Sequence, residues 1–268
     1  MKYKALALDL DGTLTDNNKK LPERNKEAIF KAIEKGVSVI LASGRPLFGI
    51  TPIAKELDLS TRGGYILAYN GGQIIDCKTG DCLYEKVLPR DCMEDVCKFA
   101  RENGVYALTY EDTTVVCESD EDPYVIKEAK CNYTTVKKVE SLIDFVDYPV
   151  AKFLVVGEHT KLLPVQKAIL EKYEGKVDAF FSEEYFLEVV PANVAKDESL
   201  KILLEKIGLK TDELIACGDG MNDIPMLKIA GLSVVMANGY DEVKKYADVI
   251  APSNEECGVA QIIEDYIL

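Results

Sequence analysis

Short apolar runs without polar alternation recur at both ends of the chain, at residues 5–8, 37–42, 65–69, 214–217, 232–236 and 248–250. Such runs fit strands buried on both faces of a parallel sheet. Between them lie segments with helical spacing. Residues 22–35 carry the stripe Ala28, Ile29, Ala32 and Ile33 and stop at Gly36. Pro46 opens a second helix running to about residue 57. Further helices are predicted over 196–206, from 223 to about 230, and over 258–268. The alternation predicts an α/β architecture.

The rhythm changes in the middle. Residues 74–77 and 82–85 flank Lys78-Thr79-Gly80-Asp81 and read as a hairpin. Pro89 punctuates, and Asp91 is expected to cap a helix closed by Gly104. Strands near 105–109 and 114–117 follow, then helices from Pro123 and Ser141. A strand at 151–156, a helix at 161–173 and strands at 177–181 and 186–190 complete the stretch. Paired strands with helices between them predict an inserted α+β unit. The expected organisation is a core over 1–87, an insert over 88–182, and the core again over 183–268.

Composition narrows the function classes. The chain has 268 residues, 47% hydrophobic and 29% charged, as in a soluble globular protein. Its net charge of −14 argues against nucleic acid or an anionic membrane as the main partner, because both need a basic face. No signal segment is visible at the start, and no apolar run approaches the roughly 18–20 residues of a membrane span. The eight cysteines form no C-x-x-C pair and read as reduced thiols, so a cytoplasmic location is expected. A single histidine, His159, just after a strand pattern, argues against a Ser-His-Asp triad or a His-rich zinc site.

Candidate chemistry sits where predicted strands end. Asp9 and Asp11 close the first run at i, i+2, which points both carboxylates to one side of an extended chain. At the carboxyl end of a buried strand that side faces the ligand crevice, and two repelling acids there suit an oxygen-seeking cation such as Mg²⁺. An Asp-x-Asp-Gly segment is also a common turn. It opens calcium loops too, but Asn18 and Lys20 do not continue that pattern, and the preceding segment is strand-like. The second run ends in Ser43-Gly44-Arg45-Pro46, a ready anion site or, alternatively, a simple serine N-cap. The third ends in Asn70-Gly71-Gly72. Gly218-Asp219-Gly220-Met221-Asn222-Asp223 follows the strand at 214–217, with a turn plus N-cap as the plainer alternative when it is taken alone. Lys196 opens a helix, where a solvated lysine is the ordinary expectation.

Taken together, these segments resemble the haloacid dehalogenase (HAD) superfamily. Within it the chain is similar to Cof-type phosphatases with a large cap of the C2B kind. Asp9-Leu-Asp11-Gly-Thr-Leu14 matches the first family motif, Ala42-Ser43-Gly44-Arg45 the second, Lys196 the third, and Gly218 to Asp223 the fourth. Asn70-Gly71-Gly72 resembles the loop these proteins carry before the cap. Ala195 and Asp197 depart from the family pattern around the lysine, where a small polar residue and a glycine are usual.

The resemblance implies a Rossmann-like parallel core with an inserted α+β cap, and a Mg²⁺-dependent phosphatase working through an aspartyl-phosphate. It implies Asp9 as nucleophile and Asp11 as acid and base. Ser43, Gly44 and Lys196 would hold phosphate, and Arg45, Asn70 and Asn222 would lie on the substrate side or support it. The metal ligands would be Asp9, Asp11 through its carbonyl, Asp219, and Asp223 directly or through water. Small phosphorylated metabolites are the implied substrates: sugar phosphates first, then pyridoxal phosphate or FMN. A sugar phosphomutase using the same residues and a non-catalytic sugar-phosphate-binding protein remain alternative readings. A Rossmann dehydrogenase is disfavoured because no G-x-G-x-x-G follows the first strand.

Overall fold

In the computed structural model, which describes residues 2–268, the first apolar run is strand β1 (Ala5–Leu8), buried throughout. It pairs in parallel with β2 (Ser38–Ala42), which pairs in parallel with β3 (Tyr65–Ala68). β4 (Gln73–Asp76) then runs antiparallel to β3, and β5 (Cys82–Glu85) forms the sheet edge. The helix Glu23–Glu34 buries Asn25, Ala28, Ile29 and Ala32, the face its spacing predicts. The helix Leu47–Glu56 begins after Pro46, whose side chain can offer no cap, so Ser43 does not serve as its N-cap.

The chain forms two compact units, residues 1–84 with 195–268, and residues 85–194. The second unit has its own sheet. Its strands are β6 (Tyr106–Glu111), β7 (Thr114–Cys117), β8 (Val136–Lys138), β9 (Phe153–Val156), β10 (Val177–Glu183) and β11 (Phe186–Pro191). Their order is β10-β11-β9-β6-β7-β8. The pairs are antiparallel except β7–β8, which is parallel. Phe153, Val155, Leu187 and Val189 pack in one cluster with Val96 and Val165 of the helices Arg90–Glu102 and His159–Lys172.

Three expectations are corrected here. An insert ending at 182 leaves 186–190 in the returning core, yet β11 lies between β10 and β9, so the unit continues to Val194. Antiparallel partners on both sides commit β11 to this sheet. The first boundary falls at Tyr84 and Glu85, not 87. Asp91 is not the cap of its helix. Pro89 holds that position, and the Asp91 carboxylate accepts from the adjacent Cys92 N–H at 3.0 Å. β8 carries no sequence signal, because only Val136 in Val-Lys-Lys is even partly buried and no alternation marks it.

The core resumes with the helix Lys196–Lys206, at its expected bounds, and then β12 (Leu214–Gly218), β13 (Leu232–Met236) and β14 (Val249–Ala251). The eight-stranded order is β14-β13-β12-β1-β2-β3-β4-β5. Alternate strand residues feed two cores. Leu6, Leu8, Val39, Leu41, Ile215 and Cys217 join the cluster under the helices Glu23–Glu34 and Gly258–Tyr266. Ala5, Ala7, Ile40, Ala42, Leu214 and Ala216 join the cluster with Leu200, Leu203 and Met226. A sheet covered on both faces explains the unbroken apolar runs.

β1 leads outward to β2 and β3 in one direction, and β12 leads to β13 and β14 in the other. The reversal lies between β1 and β12. In open parallel sheets the ligand crevice forms there, beyond the carboxyl ends of the strands.

Candidate active site

Asp9 follows β1 directly and Asp219 follows β12 directly, so the two acids stand on either side of this reversal. Lys196, the first residue of its helix, is fully buried. Its Nζ donates to Asp9 Oδ1 and to Asp223 Oδ1, each at 2.6 Å. Asp223 Oδ2 accepts the backbone N–H groups of Asp219 and Gly220, each at 2.9 Å, which fixes the loop after β12. Thr13 Oγ1 donates to Asp219 Oδ1 at 2.8 Å. Carboxylate oxygens of Asp9, Asp219 and Asp223 lie within 4.8 Å of one another.

The approach is close enough to require glycines. Gly12 has φ +80°, and a Cβ there would fall 2.4 Å from Asp219 Oδ2. At Gly218 a Cβ would meet the Asp223 side chain at 2.5 Å.

The charge count is unbalanced: three carboxylates share one ammonium. Burial and the charge of Asp223 push the Asp9 carboxyl well above its ordinary range, against the pull of Lys196. Burial lowers the Lys196 ammonium, but Asp223 and Asp9 outweigh it and hold the proton. Burial raises Asp219 to about 6, despite the Thr13 hydroxyl. A divalent cation would relieve this excess, and the all-oxygen donor set suits Mg²⁺. Both oxygens of Asp223 are engaged by hydrogen bonds, whereas Asp9 and Asp219 each show one among the described residues. Asp9 and Asp219 are therefore the better direct ligands.

Asp11 stands apart from this cluster. Arg45 grips its carboxylate through Nε and Nη2 at 2.7 and 2.6 Å, and Lys19 pairs with it at 2.5 Å. Burial pushes the Asp11 carboxyl up, but Arg45 and Lys19 outweigh it and hold it below the ordinary carboxylate range. Arg45 also donates to the Gly49 carbonyl, so it supports the site rather than lying open to an anion.

Ser43 is buried, and its Oγ accepts from the Arg45 N–H at 3.2 Å. Its carbonyl accepts the Asn70 N–H at 2.9 Å, and the Arg45 carbonyl accepts the Tyr69 N–H at 3.0 Å. Tyr69, Asn70 and Gly71 all have positive φ, at 54°, 56° and 98°. For the two non-glycine residues this is stored strain on the order of 1–3 kcal/mol each, held by those bonds. Asn70 Oδ1 accepts from Asn222 Nδ2 at 3.1 Å, joining the loops after β3 and β12. A Cβ at Gly44 would press on the Asn70 amide at 3.0 Å. All ten predicted residues thus gather at the carboxyl ends of β1, β2, β3 and β12 and the start of one helix. Asp197 does not enter the cluster; its carboxylate pairs with Lys201 at 3.1 Å.

Sequence reasoning missed Thr13, Lys19 and Asn238. Thr13 lies inside the first motif, whereas Lys19 and Asn238 belong to loops with no local signal. Asn238 donates to the Gly12 carbonyl at 2.8 Å.

A family model described as haloacid dehalogenase-like hydrolase matches residues 6–263. The chain belongs to that family. A HAD-like hydrolase from Bacteroides thetaiotaomicron, known from its crystal structure, is 45% identical with a TM-score of 0.95, covering 98% of this chain and 99% of that one. A Bacillus subtilis (strain 168) relative named 5-amino-6-(5-phospho-D-ribitylamino)uracil phosphatase YwtE is 27% identical over 289 residues, covering 98% of each chain. A structure described as a HAD subclass IIB sugar phosphatase shares the fold, at 22% identity and a TM-score of 0.79, covering 98% of each chain. The chain is accordingly a HAD-type phosphoric monoester hydrolase. Among the described residues no helix is long and apolar enough to cross a membrane.

Proposed function

We propose that this HAD hydrolase is a Mg²⁺-dependent phosphatase of small phosphorylated metabolites, acting through a phosphorylated Asp9. The observation that carries the reading is the buried cluster in which Lys196 alone offsets Asp9, Asp223 and Asp219. Lys196 holds Asp9 Oδ1, and of the two Asp9 oxygens one would face Mg²⁺ while the other attacks phosphorus. Asp9, Asp219 and the Asp11 carbonyl would hold Mg²⁺, with Asp223 acting through water. The metal would neutralise phosphate charge so that a carboxylate can approach.

Ser43 Oγ, the Gly44 N–H and Lys196 Nζ hold the phosphate oxygens. A cation about 4 Å from an anion is worth about 4 kcal/mol at an effective dielectric near 20. Asp11 delivers a proton to the leaving oxygen and then takes one from the water that cleaves the acyl-phosphate. Arg45 and Lys19 hold Asp11 as a carboxylate, so its acid role requires it to leave them and gain a proton. By the resemblance, the inserted unit corresponds to the cap, the part to which leaving-group selection falls in this architecture. Sugar phosphates lead the candidates, and the name of the Bacillus subtilis relative adds phosphorylated ribityl compounds to them. We place the enzyme in the cytoplasm, a reading supported by eight free cysteines.

The test is phosphate release from a metabolite panel with and without Mg²⁺, beside Asp9→Asn. Turnover should require the metal and vanish in Asp9→Asn, while the melting temperature of the metal-free variant stays equal or rises. Wild-type turnover by Asp9→Asn would remove the nucleophile assignment. Substrate binding with no phosphate release would favour the binding-protein reading, and an isomerised hexose phosphate product the mutase.

A further inference from the structure

Outside the predicted motifs, two asparagines connect the far side of the core sheet to the loop that carries Asp11. Asn238 lies in the loop after β13, and Asn254 in the turn Asn254–Glu256 after β14. Asn238 Nδ2 donates to the Gly12 carbonyl at 2.8 Å, and Asn238 Oδ1 accepts the Asn254 N–H at 3.0 Å. Asn254 is only 2% exposed. Its Nδ2 donates to the Thr15 carbonyl at 2.9 Å and to Asn17 Oδ1 at 3.2 Å. Glu255 Oε1 accepts the Asn17 N–H at 2.6 Å. The strut also passes the metal candidate, because the Tyr240 N–H donates to the Asp219 carbonyl at 3.2 Å.

These bonds act on one peptide plane. The Gly12 carbonyl and the Thr13 N–H share a rigid amide. Asn238 holds its oxygen, and its N–H donates to the Leu10 carbonyl at 3.3 Å. That plane directs Thr13 Oγ1 at Asp219 and sets Gly12 against Asp219 Oδ2. Farther along the same loop, the Asp16 N–H donates to the Lys20 carbonyl at 2.9 Å, closing the turn that brings Lys19 to Asp11.

We propose that Asn238 and Asn254 are positioning residues for phosphoryl transfer: a hydrogen-bonded strut that fixes the Gly12–Thr13 peptide and the 15–17 segment, and through them the mutual placement of Asp9, Asp11 and Asp219. The proposal rests on the reading of the site given above. Neither asparagine touches the reacting atoms.

Asn238→Ala deletes the strut from an exposed position, so the fold should survive. Its kcat for p-nitrophenyl phosphate should fall about ten- to hundredfold with KM unchanged, as for partners that orient a metal's ligands. Its Mg²⁺ dissociation constant, read by calorimetry without substrate, should rise severalfold, with an unchanged melting temperature. Asn238→Asp keeps the acceptor for Asn254 but cannot donate to Gly12, so it should behave like the alanine variant. Wild-type kcat and Mg²⁺ affinity in Asn238→Ala, or full rescue by Asp, would overturn the strut while leaving the site reading intact. A wild-type protein that neither binds Mg²⁺ nor releases phosphate would overturn the site reading itself, and the strut with it.

Discussion

Each unit buries one lysine, and the two differ in what surrounds them. In the inserted unit Lys152 and Glu188 face each other at 3.5 Å, one charge against one, with side chains 5% and 11% exposed. In the core, Lys196 meets Asp9 and Asp223 at 2.6 Å each, with Asp219 alongside. A balanced pair is self-sufficient. An unbalanced cluster holds negative charge that the protein does not neutralise, and such an arrangement persists where a ligand or ion completes it. The difference separates a self-contained ion pair from a candidate reaction centre without reference to any motif.

The largest expected effect comes from the core lysine. Lys196→Ala strands two buried carboxylates and should lower unfolding stability by about 3–5 kcal/mol in urea titrations, with loss of phosphate release. Retained stability would mean that the cluster is hydrated rather than buried.

Metal addition comes next. Mg²⁺ at a hundred times its dissociation constant should stabilise the native state by about 2.7 kcal/mol, read as a rise in melting temperature that EDTA reverses. An Asp219→Asn variant should lose most of that rise. No Mg²⁺ response in the wild-type protein would erase the contrast between the two lysines.

In the inserted unit, Lys152→Met with Glu188→Leu removes both charges together and should be neutral or mildly stabilising. A large loss in this double variant would show the pair to be more than balanced packing.

The effect spread over the widest range of conditions is a pH slope. Asp219 is raised to about 6 in the folded protein, above the roughly 3.9 of an unfolded aspartate. The fold therefore favours its protonated form. Its contribution is complete below the unfolded pKa and is lost as pH rises through about 6. In metal-free protein the stability difference between wild type and Asp219→Asn should move against the wild type between about pH 4 and pH 6. Protons compete for the same oxygens, so Mg²⁺ affinity should weaken as pH falls below about 6. A flat difference across that window would remove the raised Asp219.

Much of this was written locally. The runs 5–8 and 232–236 became β1 and β13 because a strand covered on both faces must be apolar throughout. Lys196–Lys206 kept its bounds because its helical signals are short-range. The motifs named ten candidate residues that gather in space because each lies beside the strand end or helix start that carries it. Three-dimensional pairing decided the rest. β11 looks the same in sequence whichever sheet it joins, and only its partners β9 and β10 commit it to the inserted unit. Hydrogen bonds that span the chain have no local signature, so the tie from Asn238 to Gly12 became visible only once distant loops met, and the pairing of Lys19 with Asp11 in one loop became visible only from the path of the turn between them. The sequence determined which groups are present and which strand ends present them. Tertiary structure decided that one ammonium stands among three carboxylates and that Asp11 lies in the grip of Arg45 and Lys19, because charge balance depends on distances through space rather than along the chain.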